Sequence, residues 1–161
     1  MRSAVVLGLA ACAAALSGCA SKPVAPTFFA PSGPTFVSTA IVGANVNPDA
    51  RKRPSPVVLR VYELRSNALF ESADFVSLFE KDQTVLGSEL VSREEVILQP
   101  NDVKAINKNL SPETKFVAVF AAFRDLERAR WRASVQAIQG KKNVFKIRLD
   151  DATVQIKREE P

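Results

Sequence analysis

Apolar and polar residues alternate along most of the chain after residue 36, and this alternation predicts β-strands. In Val57–Leu64, for example, Val57, Leu59 and Val61 fall on one face of an extended chain. Short strands at this spacing predict a mainly β fold, a two-sheet β-sandwich. The predicted strands occupy residues 36–46, 57–64, 91–98, 103–110, 116–123, 129–138, 143–149 and 152–158.

Two of these segments indicate where they lie in a sheet. The continuous apolar run Phe116–Phe123 is typical of a central strand, buried on both faces. The segment 103–110 contains Lys104 and Lys108, which favours an edge strand. In residues 129–138 the alternation places Arg130 and Arg132 on a solvated face.

One segment, residues 67–87, has a helical rather than an alternating pattern. Phe75, Leu78 and Phe79 follow the i, i+3, i+4 spacing of a helix face, and Gly87 is a candidate C-terminal cap. We therefore predict a small helical insertion between the second and third strands. Its aromatic residues are expected to pack in the core rather than to bind a ligand.

The N-terminal segment has the layout of a secretory signal. The cation Arg2 precedes the uncharged apolar stretch Ala4–Leu16, which is too short to cross a bilayer as a helix. Residues 1–18 are therefore expected to be removed on export, together with Cys12.

Two cleavage sites compete next to Cys19. Cleavage at an A-x-A-like site such as Ala13–Ala15 would leave a soluble periplasmic protein with an exposed thiol. The stretch Leu16–Cys19 instead resembles a bacterial lipobox, in which the cysteine is acylated. An unpaired exported thiol is open to oxidation, so lipid attachment at Cys19 accounts for it better. The residue directly after Cys19 is not aspartate, which favours placement of the lipoprotein on the inner leaflet of the outer membrane, with the domain facing the periplasm.

Residues 19–36 contain four prolines and read as a lipid-anchored flexible tether, which leaves a β-sandwich domain at residues 37–158. The full chain has 22 Lys and Arg against 17 Asp and Glu. Without Arg2 the counts are 21 and 17, a mildly basic balance. The longest basic cluster, Arg51–Arg53, is too short for a nucleic-acid tail, and no nucleic-acid partner is expected.

The chain offers little for catalysis. It has no histidine, only six glycines and, after export, one cysteine that is assigned to lipid. Acidic pairs such as Glu94–Glu95 lie at neighbouring strand positions, whose side chains point to opposite faces. We therefore expect no enzymatic activity, no metal site, no small-molecule substrate and no cofactor beyond the covalent lipid at Cys19.

The loop Asn47–Pro56 between the first two predicted strands is the candidate binding element. It combines three prolines with the consecutive cations Arg51, Lys52 and Arg53, which would suit an acidic or polar protein surface. On composition alone a solubilising hairpin tip is slightly favoured. The basic segment Arg124–Arg128 reads as a solvated turn.

Several motifs in a fixed order resemble one known family. The lipobox is followed by N-P-D and R-P-S-P-V-V-L-R-V-Y-E-L within 47–64, by F-E-S-A-D-F at 70–75 with L-F at 78–79, and by F-V-A-V-F-A-A-F-R-D-L at 116–126. Together with Trp131-Arg132, this series resembles the outer-membrane lipoproteins of type VI secretion, the TssJ family.

The resemblance implies a transthyretin-like β-sandwich with a small helical insertion, tethered under the outer membrane. It implies binding to the periplasmic C-terminal region of the inner-membrane protein TssM, in a complex that also contains TssL. By position, the family's contact loop corresponds to Asn47, Pro48, Asp49, Ala50, Arg51, Lys52 and Arg53. An alternative hypothesis is a periplasmic lipoprotein that carries a hydrophobic ligand in the sandwich interior or near Phe28 and Phe29.

Overall fold

A computed structural model describes residues 35–159, which form a mainly β sandwich of two four-stranded sheets with a small helical insertion. This confirms the predicted fold class. The helices are α1 (Ala68–Ser72) and α2 (Phe75–Leu86), followed by a 3-10 turn at Gly87–Glu89. The strands are β1 (Thr35–Val42), β2 (Val57–Leu64), β3 (Leu90–Leu98), β4 (Val103–Asn109), β5 (Phe116–Ala122), β6 (Arg132–Gln136), β7 (Lys142–Asp150) and β8 (Thr153–Arg158).

The first sheet has the strand order β4-β1-β7-β8 and the second sheet has the order β3-β2-β5-β6. Strands β1 and β7 run parallel, while the other paired strands are antiparallel. Arg130 connects the two sheets at one side. Its amide donates to the Ala152 carbonyl (2.8 Å) and its carbonyl accepts from the Val154 amide (2.9 Å).

Strand β2 has the predicted bounds, but the prediction for the first strand was wrong at its end. Strand β1 stops at Val42 instead of continuing to Val46. The chain turns after Val42 instead, and the Val46 amide donates to the Gly43 carbonyl (3.4 Å). Residue 43 has no room for a side chain, because a Cβ there would lie 2.4 Å from a carboxylate oxygen of Asp150. Val46 is nevertheless fully buried, and it is held in the loop by the Ser55 amide. Strand β1 also begins two residues before the predicted domain start, with Phe36 completely buried.

The core lies between the two sheets and consists of inward-facing residues at alternate strand positions. Phe36 of β1 packs against Phe145 of β7, with ring centroids 5.5 Å apart. Leu59 of β2 and Val119 of β5 meet them from the second sheet in the same buried cluster. Burial of this apolar surface is the main stabilising contribution to the fold.

The helical insertion covers the outer face of the second sheet, so β2 and β5 are buried on both sides. Phe75 stacks on Phe120 with ring centroids 5.0 Å apart, and it meets Trp131 edge-on at 5.4 Å. The predicted packing role of the aromatic stripe is therefore confirmed, although Phe79 at its border is 42% exposed.

Helix α2 consists of two short helices joined at Lys81, whose backbone angles (φ −137°, ψ 33°) are not helical. A residue of strand β2 donates hydrogen bonds to carbonyl groups that precede the kink. The buried Arg60 guanidinium donates to the carbonyls of Leu78 (3.1 Å) and Phe79 (2.8 Å). After the kink, the Gln83 amide donates to the Asp82 carboxylate (2.8 Å). Arg60 therefore fixes the kinked helix onto the sheet.

The prediction that Arg132 lies on a solvated face was wrong. Its guanidinium donates to the carbonyls of Phe70 (2.9 Å) and Ala73 (2.6 Å) at the end of α1, and it lies 4.6 Å from the Trp131 ring centroid. The last carbonyls of a helix need donors from outside the helix, and this strand side chain supplies them.

The strand directions give the sandwich two distinct ends. The loop end contains the β1–β2 loop, the β3–β4 turn, the β5–β6 connection and the β7–β8 turn. The opposite end, called the anchor end, contains Thr35, where β1 starts. Strand β1 has eight residues, which at about 3.3 Å each separate the two ends by about 25 Å.

Candidate partner-binding site

Asn47 fixes the loop between β1 and β2 to the rest of the domain. It is only 3% exposed and adopts a left-handed backbone conformation, with φ 50°. Its side-chain amide donates to the Pro56 carbonyl (2.6 Å), and its side-chain oxygen accepts from the Arg124 amide (2.8 Å). Its own backbone amide donates to the Asp151 carbonyl (2.7 Å). Asn47 therefore supports the loop from inside rather than facing solvent.

Asp49 orders the tip of this loop. One of its carboxylate oxygens accepts from the amides of Arg51 (2.8 Å) and Arg53 (2.9 Å), and the other accepts from the Arg53 side chain (2.8 Å). The Arg53 backbone amide, followed by the Arg53 side chain, lowers the pKa of Asp49 below its ordinary value. Lys52 completes the turn with a positive φ of 61°. The tip is thus a preorganised turn.

The three cations of the loop are not equivalent. Arg53 forms an ion pair with Asp49 (2.7 Å), which compensates its charge. Arg51 and Lys52 are exposed, and within residues 35–159 neither forms an ion pair. The tip therefore presents two uncompensated positive charges to solvent.

The β5–β6 connection lies directly beside the loop. Arg128 pairs with Asp125 (2.6 Å); this hydrogen-bonded pair lowers the pKa of Asp125 and raises the pKa of Arg128. An open cleft of about 500 Å³ separates the two segments. It is lined by Pro48, Asp49, Ala50 and Lys52 from the loop and by Arg124, Asp125 and Arg128 from the connection.

The structure thus places most of the predicted contact residues on one exposed tip. It adds the segment Arg124–Arg128, which the sequence indicated only as a solvated turn. Arg124 is 77 positions from Asn47 along the chain, and no local pattern signals that the two segments meet. Their proximity follows from the sandwich topology, which brings the β1–β2 and β5–β6 connections to the same end.

Cys19, the predicted lipid attachment site, lies outside the described residues, as do Phe28 and Phe29. Between Thr35 and Glu159 no cluster of three or more acidic or cysteine side chains has the arrangement of a metal site. None of the helices in that range has the length and apolarity needed to cross a membrane.

Solved structures similar to this chain come from type VI secretion. The T6SS lipoprotein TssJ1 from Pseudomonas aeruginosa has 29% identical residues and a TM-score of 0.77, with 80% of this chain and 98% of that chain covered. A chain in a structure described as a type VI membrane complex has 26% identity and a TM-score of 0.67, with coverages of 77% and 98%. A chain in a structure described as the TssM C-terminal domain from EAEC has 25% identity and a TM-score of 0.63, with coverages of 76% and 97%.

A family model supports the same assignment. Residues 35–152 match the model of the type VI secretion lipoproteins, described by the names VasD, EvfM and TssJ. No curated protein sequence shows a significant match. Since the family match covers well over half of the chain, the chain belongs to the TssJ family of type VI secretion lipoproteins.

Proposed function

We propose that this protein is the lipid-anchored outer-membrane component of a type VI secretion membrane complex. In this role it binds the periplasmic C-terminal region of TssM, with TssL in the same complex. The similarity to chains from structures described as a type VI membrane complex and as a TssM C-terminal domain supports the partnership. The role is architectural and requires no enzymatic activity.

The proposed anchor is the N-terminal segment. Residues 1–18 are removed as a signal peptide, Cys19 is acylated, and residues 19–34 tether the domain, which begins with β1 at Thr35, to the inner leaflet of the outer membrane, facing the periplasm. One acyl chain gives only marginal membrane binding, whereas two or more give stable anchoring. Membership of a lipoprotein family supports this assignment of Cys19.

The proposed TssM contact is the loop tip together with the adjoining cleft. The contact residues are Asn47, Pro48, Asp49, Ala50, Arg51, Lys52 and Arg53, with Asn47 acting from below as the support of the tip. The observation that carries this proposal is the preorganised tip, in which Asp49 fixes the backbone of Arg51 and Arg53. A tip that is already ordered loses little conformational entropy on binding.

The positions of the tip and the anchor agree with this role. Strand β1 separates the tether, which joins at Thr35, from the loop that follows Val42. The two points are about 25 Å apart along β1, so the attachment of the lipid anchor does not occupy the surface of the loop. The alternative hypothesis of a carrier that holds a hydrophobic ligand in the sandwich interior has no comparable support, because Phe36, Leu59 and Phe145 fill the space between the sheets.

The proposal is tested by reversing the charge of the tip. In a capture assay with the TssM periplasmic C-terminal region, the double variant Arg51→Glu with Lys52→Glu is expected to bind at least about tenfold more weakly. Both side chains are exposed and form no ion pair with any of residues 35–159, so the fold is expected to be unaffected. Circular dichroism and the urea unfolding midpoint check this point.

A matched control has the same change of charge at the anchor end. The double variant Lys141→Glu with Lys142→Glu alters two exposed residues where the β6–β7 turn meets the start of β7, and it is expected to retain capture. Equal capture by the two double variants would contradict the loop assignment. If the unaltered chain captures no TssM fragment, the partnership itself is wrong.

A further inference from the structure

The net charge of the described residues is concentrated in one hairpin. Leaving out Arg2, Lys22 and Glu160, the chain has 20 Lys and Arg against 16 Asp and Glu. The β7–β8 hairpin, residues 141–158, contains six of these cations and two of the acids. The rest of residues 35–159 is therefore electrically balanced, and the whole excess of four positive charges lies in this hairpin.

Four of the hairpin cations share the outer face of the first sheet. Lys142, Lys146 and Arg148 occupy alternate positions of β7, and the buried Asn143, Phe145, Ile147 and Leu149 point the other way. Lys157 on β8 pairs in register with Lys146. We call Lys142, Lys146, Arg148 and Lys157 the cationic face.

This arrangement is unfavourable for the isolated domain. Like charges at directly opposite strand positions destabilise a sheet, and Lys146 and Lys157 are such a pair. An ion pair between Lys146 and Glu159 offsets part of the repulsion. Among the described residues, the other three cations form no ion pair. A groove of about 230 Å³ lies among Lys146, Arg148, Lys157 and Gln155, where an anionic group would be surrounded by positive charge.

Aliphatic side chains adjoin the cationic face. On β1, Val37 and Ile41 are half-buried and occupy outward positions next to Val144 and Arg148 of β7. On the edge strand β4, Val103 pairs with Ile41 and is 70% exposed. The helices lie against the second sheet, so neither helix covers this surface. The outer face of the first sheet is therefore not covered by the helices, partly aliphatic and positively charged.

We propose that the outer face of the first sheet adsorbs onto the anionic lipid surface to which the protein is tethered, with lipid phosphates bound in the groove of the cationic face. Cations at the level of the headgroups and aliphatic side chains at their border are the combination that favours a bilayer interface. A second copy of the chain would oppose the same positive charges and is disfavoured.

The chain connectivity supports a lipid surface as the partner. This inference rests on the proposed anchoring at Cys19, and Cys19 is followed by only fifteen residues before Thr35. Thr35 is the first residue of β1 and pairs in register with Lys142. The tether thus enters the sheet that carries the cationic face, and it holds this face at a high effective concentration near the bilayer. The adsorbed state is then populated even if the face binds lipid weakly.

The test uses the full acylated protein reconstituted in vesicles that contain lipids with a spin-label quencher. With Cys19 acylated, one introduced cysteine is the only free thiol for a fluorescent label. Asn107→Cys places the label on the outer face of the first sheet, where Asn107 is exposed and pairs with Val37. Glu80→Cys places it on exposed α2, on the other side of the molecule.

In phosphatidylcholine vesicles containing phosphatidylglycerol, the label at residue 107 is expected to be quenched much more strongly than the label at residue 80. Each adsorbed Lys or Arg strengthens binding to an anionic bilayer about fivefold. The triple variant Lys142→Gln, Arg148→Gln and Lys157→Gln is therefore expected to weaken adsorption about a hundredfold. Pure phosphatidylcholine or high salt is expected to have the same effect.

A control variant removes equal charge elsewhere, at the exposed residues Lys81, Lys104 and Lys115, each replaced by Gln. It is expected to retain the quenching. Equal quenching at residues 80 and 107, or quenching that both triple variants retain, would overturn the proposal. The proposal would also be overturned, in favour of a protein partner, if the label at residue 107 became shielded only after an acidic protein was added.

The outcome is separable from that of the proposed function. Mass spectrometry of each sample establishes the acylation of Cys19 before any quenching is measured. The triple variant of the cationic face is expected to capture the TssM fragment normally, because it leaves Arg51 and Lys52 unchanged.

Discussion

A single buried carboxylate, Asp82, joins helix α2 to two strands. Its side chain is 5% exposed and accepts hydrogen bonds from the Tyr62 hydroxyl (2.9 Å) and from Arg93 (2.8 Å), with Arg60 at 3.4 Å. Burial alone would raise the pKa of Asp82, but the bond from Arg93, the bond from Tyr62 and the nearby arginine charges lower it. Burial in turn raises the pKa of the Tyr62 hydroxyl, so the tyrosine stays protonated as a donor.

Replacing Asp82 by Asn is expected to lower the free energy of unfolding by about 2 kcal/mol. The asparagine leaves Arg60 and Arg93 without this carboxylate and offers an NH₂ group to donors. Urea denaturation at neutral pH measures the change. Glu80→Gln, a change of the same charge at an exposed position of α2, is the control and is expected to alter stability by less than about 0.5 kcal/mol.

A second buried carboxylate, Glu63, joins β2 to the β4–β5 loop. It accepts hydrogen bonds from Ser92 (2.6 Å), from the Ser111 amide (2.9 Å) and from Thr114 (2.6 Å), and it forms an ion pair with Lys108 (2.7 Å). Burial raises the pKa of Glu63, but the bonds from Lys108, Ser92 and Thr114 outweigh it and lower the pKa below the ordinary value.

This lowered pKa predicts a pH dependence of stability. A folded-state pKa below the unfolded one contributes stability that is fully present above the unfolded value, about 4.3 for glutamate. That contribution is lost as the pH falls through the lowered pKa of Glu63. Glu63→Gln is expected to destabilise the protein by about 2 kcal/mol at pH 7. The deficit relative to the unaltered protein should shrink in acid.

Urea titrations over a series of pH values measure this deficit. Glu94→Gln, at an exposed position of β3, provides the comparison. Its free energy of unfolding should differ from that of the unaltered protein by the same small amount at every pH. A deficit for Glu63→Gln that stays constant down to the lowest pH would show that the carboxylate charge is not what stabilises the loop.

At the scale of single residues, the sequence predicted positions better than partners. Alternation placed Arg60 on the outer face of β2, opposite the face that points to the core. This is correct, because the helices pack on the outer face. It could not predict that Arg60 binds carbonyls of α2 nearly twenty positions away. Arg132 was wrongly assigned to solvent, because periodicity distinguishes the two faces of a strand but does not show what covers each face.

At the scale of elements, helix α2 ends where the sequence indicated. Gly87 follows the helix with φ 47° and ψ −124°, and its amide donates to the Gln83 carbonyl. This backbone conformation is strained for any residue with a Cβ atom. Among residues 35–159, apart from those adjacent to Gly87 in the chain and its own helix backbone, no atom lies within 4 Å of the position that a Cβ would occupy, so the strain is conformational.

Gly87→Ala is therefore expected to lower the free energy of unfolding by about 1–2 kcal/mol without altering packing. Thermal unfolding followed by circular dichroism gives the difference. Ser88→Ala changes the next residue, which lies in the 3-10 turn, and should leave the melting temperature nearly unchanged. Equal shifts for both substitutions would show that Gly87 is not required as the cap.

The strands were predictable because each carries a local alternating pattern, as in Val57–Leu64. Where the backbone departs from a pattern, the cause is a distant contact. The Asp150 side chain leaves room only for glycine at residue 43, where the chain turns after β1, and the carbonyls before the Lys81 kink are bound by a strand arginine. The cleft beside Arg124 was unpredictable for the same reason, because two turns from distant parts of the chain form it.

At the scale of the whole molecule, anchoring and folding are expected to be separable. Cys19 is distant in sequence from the core, which begins at Phe36. Cys19→Ser is expected to abolish acylation, measured as palmitate incorporation, and to leave the domain folded, measured by its circular dichroism spectrum. The unaltered protein is the control, and palmitate incorporation into the variant would contradict the assignment of Cys19.

The position of β1 has a mechanical consequence. In the proposed role, tension between the bilayer and a partner held at the loop tip would follow the covalent chain from Thr35 through β1 to residue 43. A strand rises about 3.3 Å per residue, and a chain can reach at most about 3.6 Å per residue, so β1 is already within about a tenth of its full length. Hydrogen bonds to β4 and β7 on its two sides keep it straight. In that role the domain would transmit force as a short, nearly inextensible link.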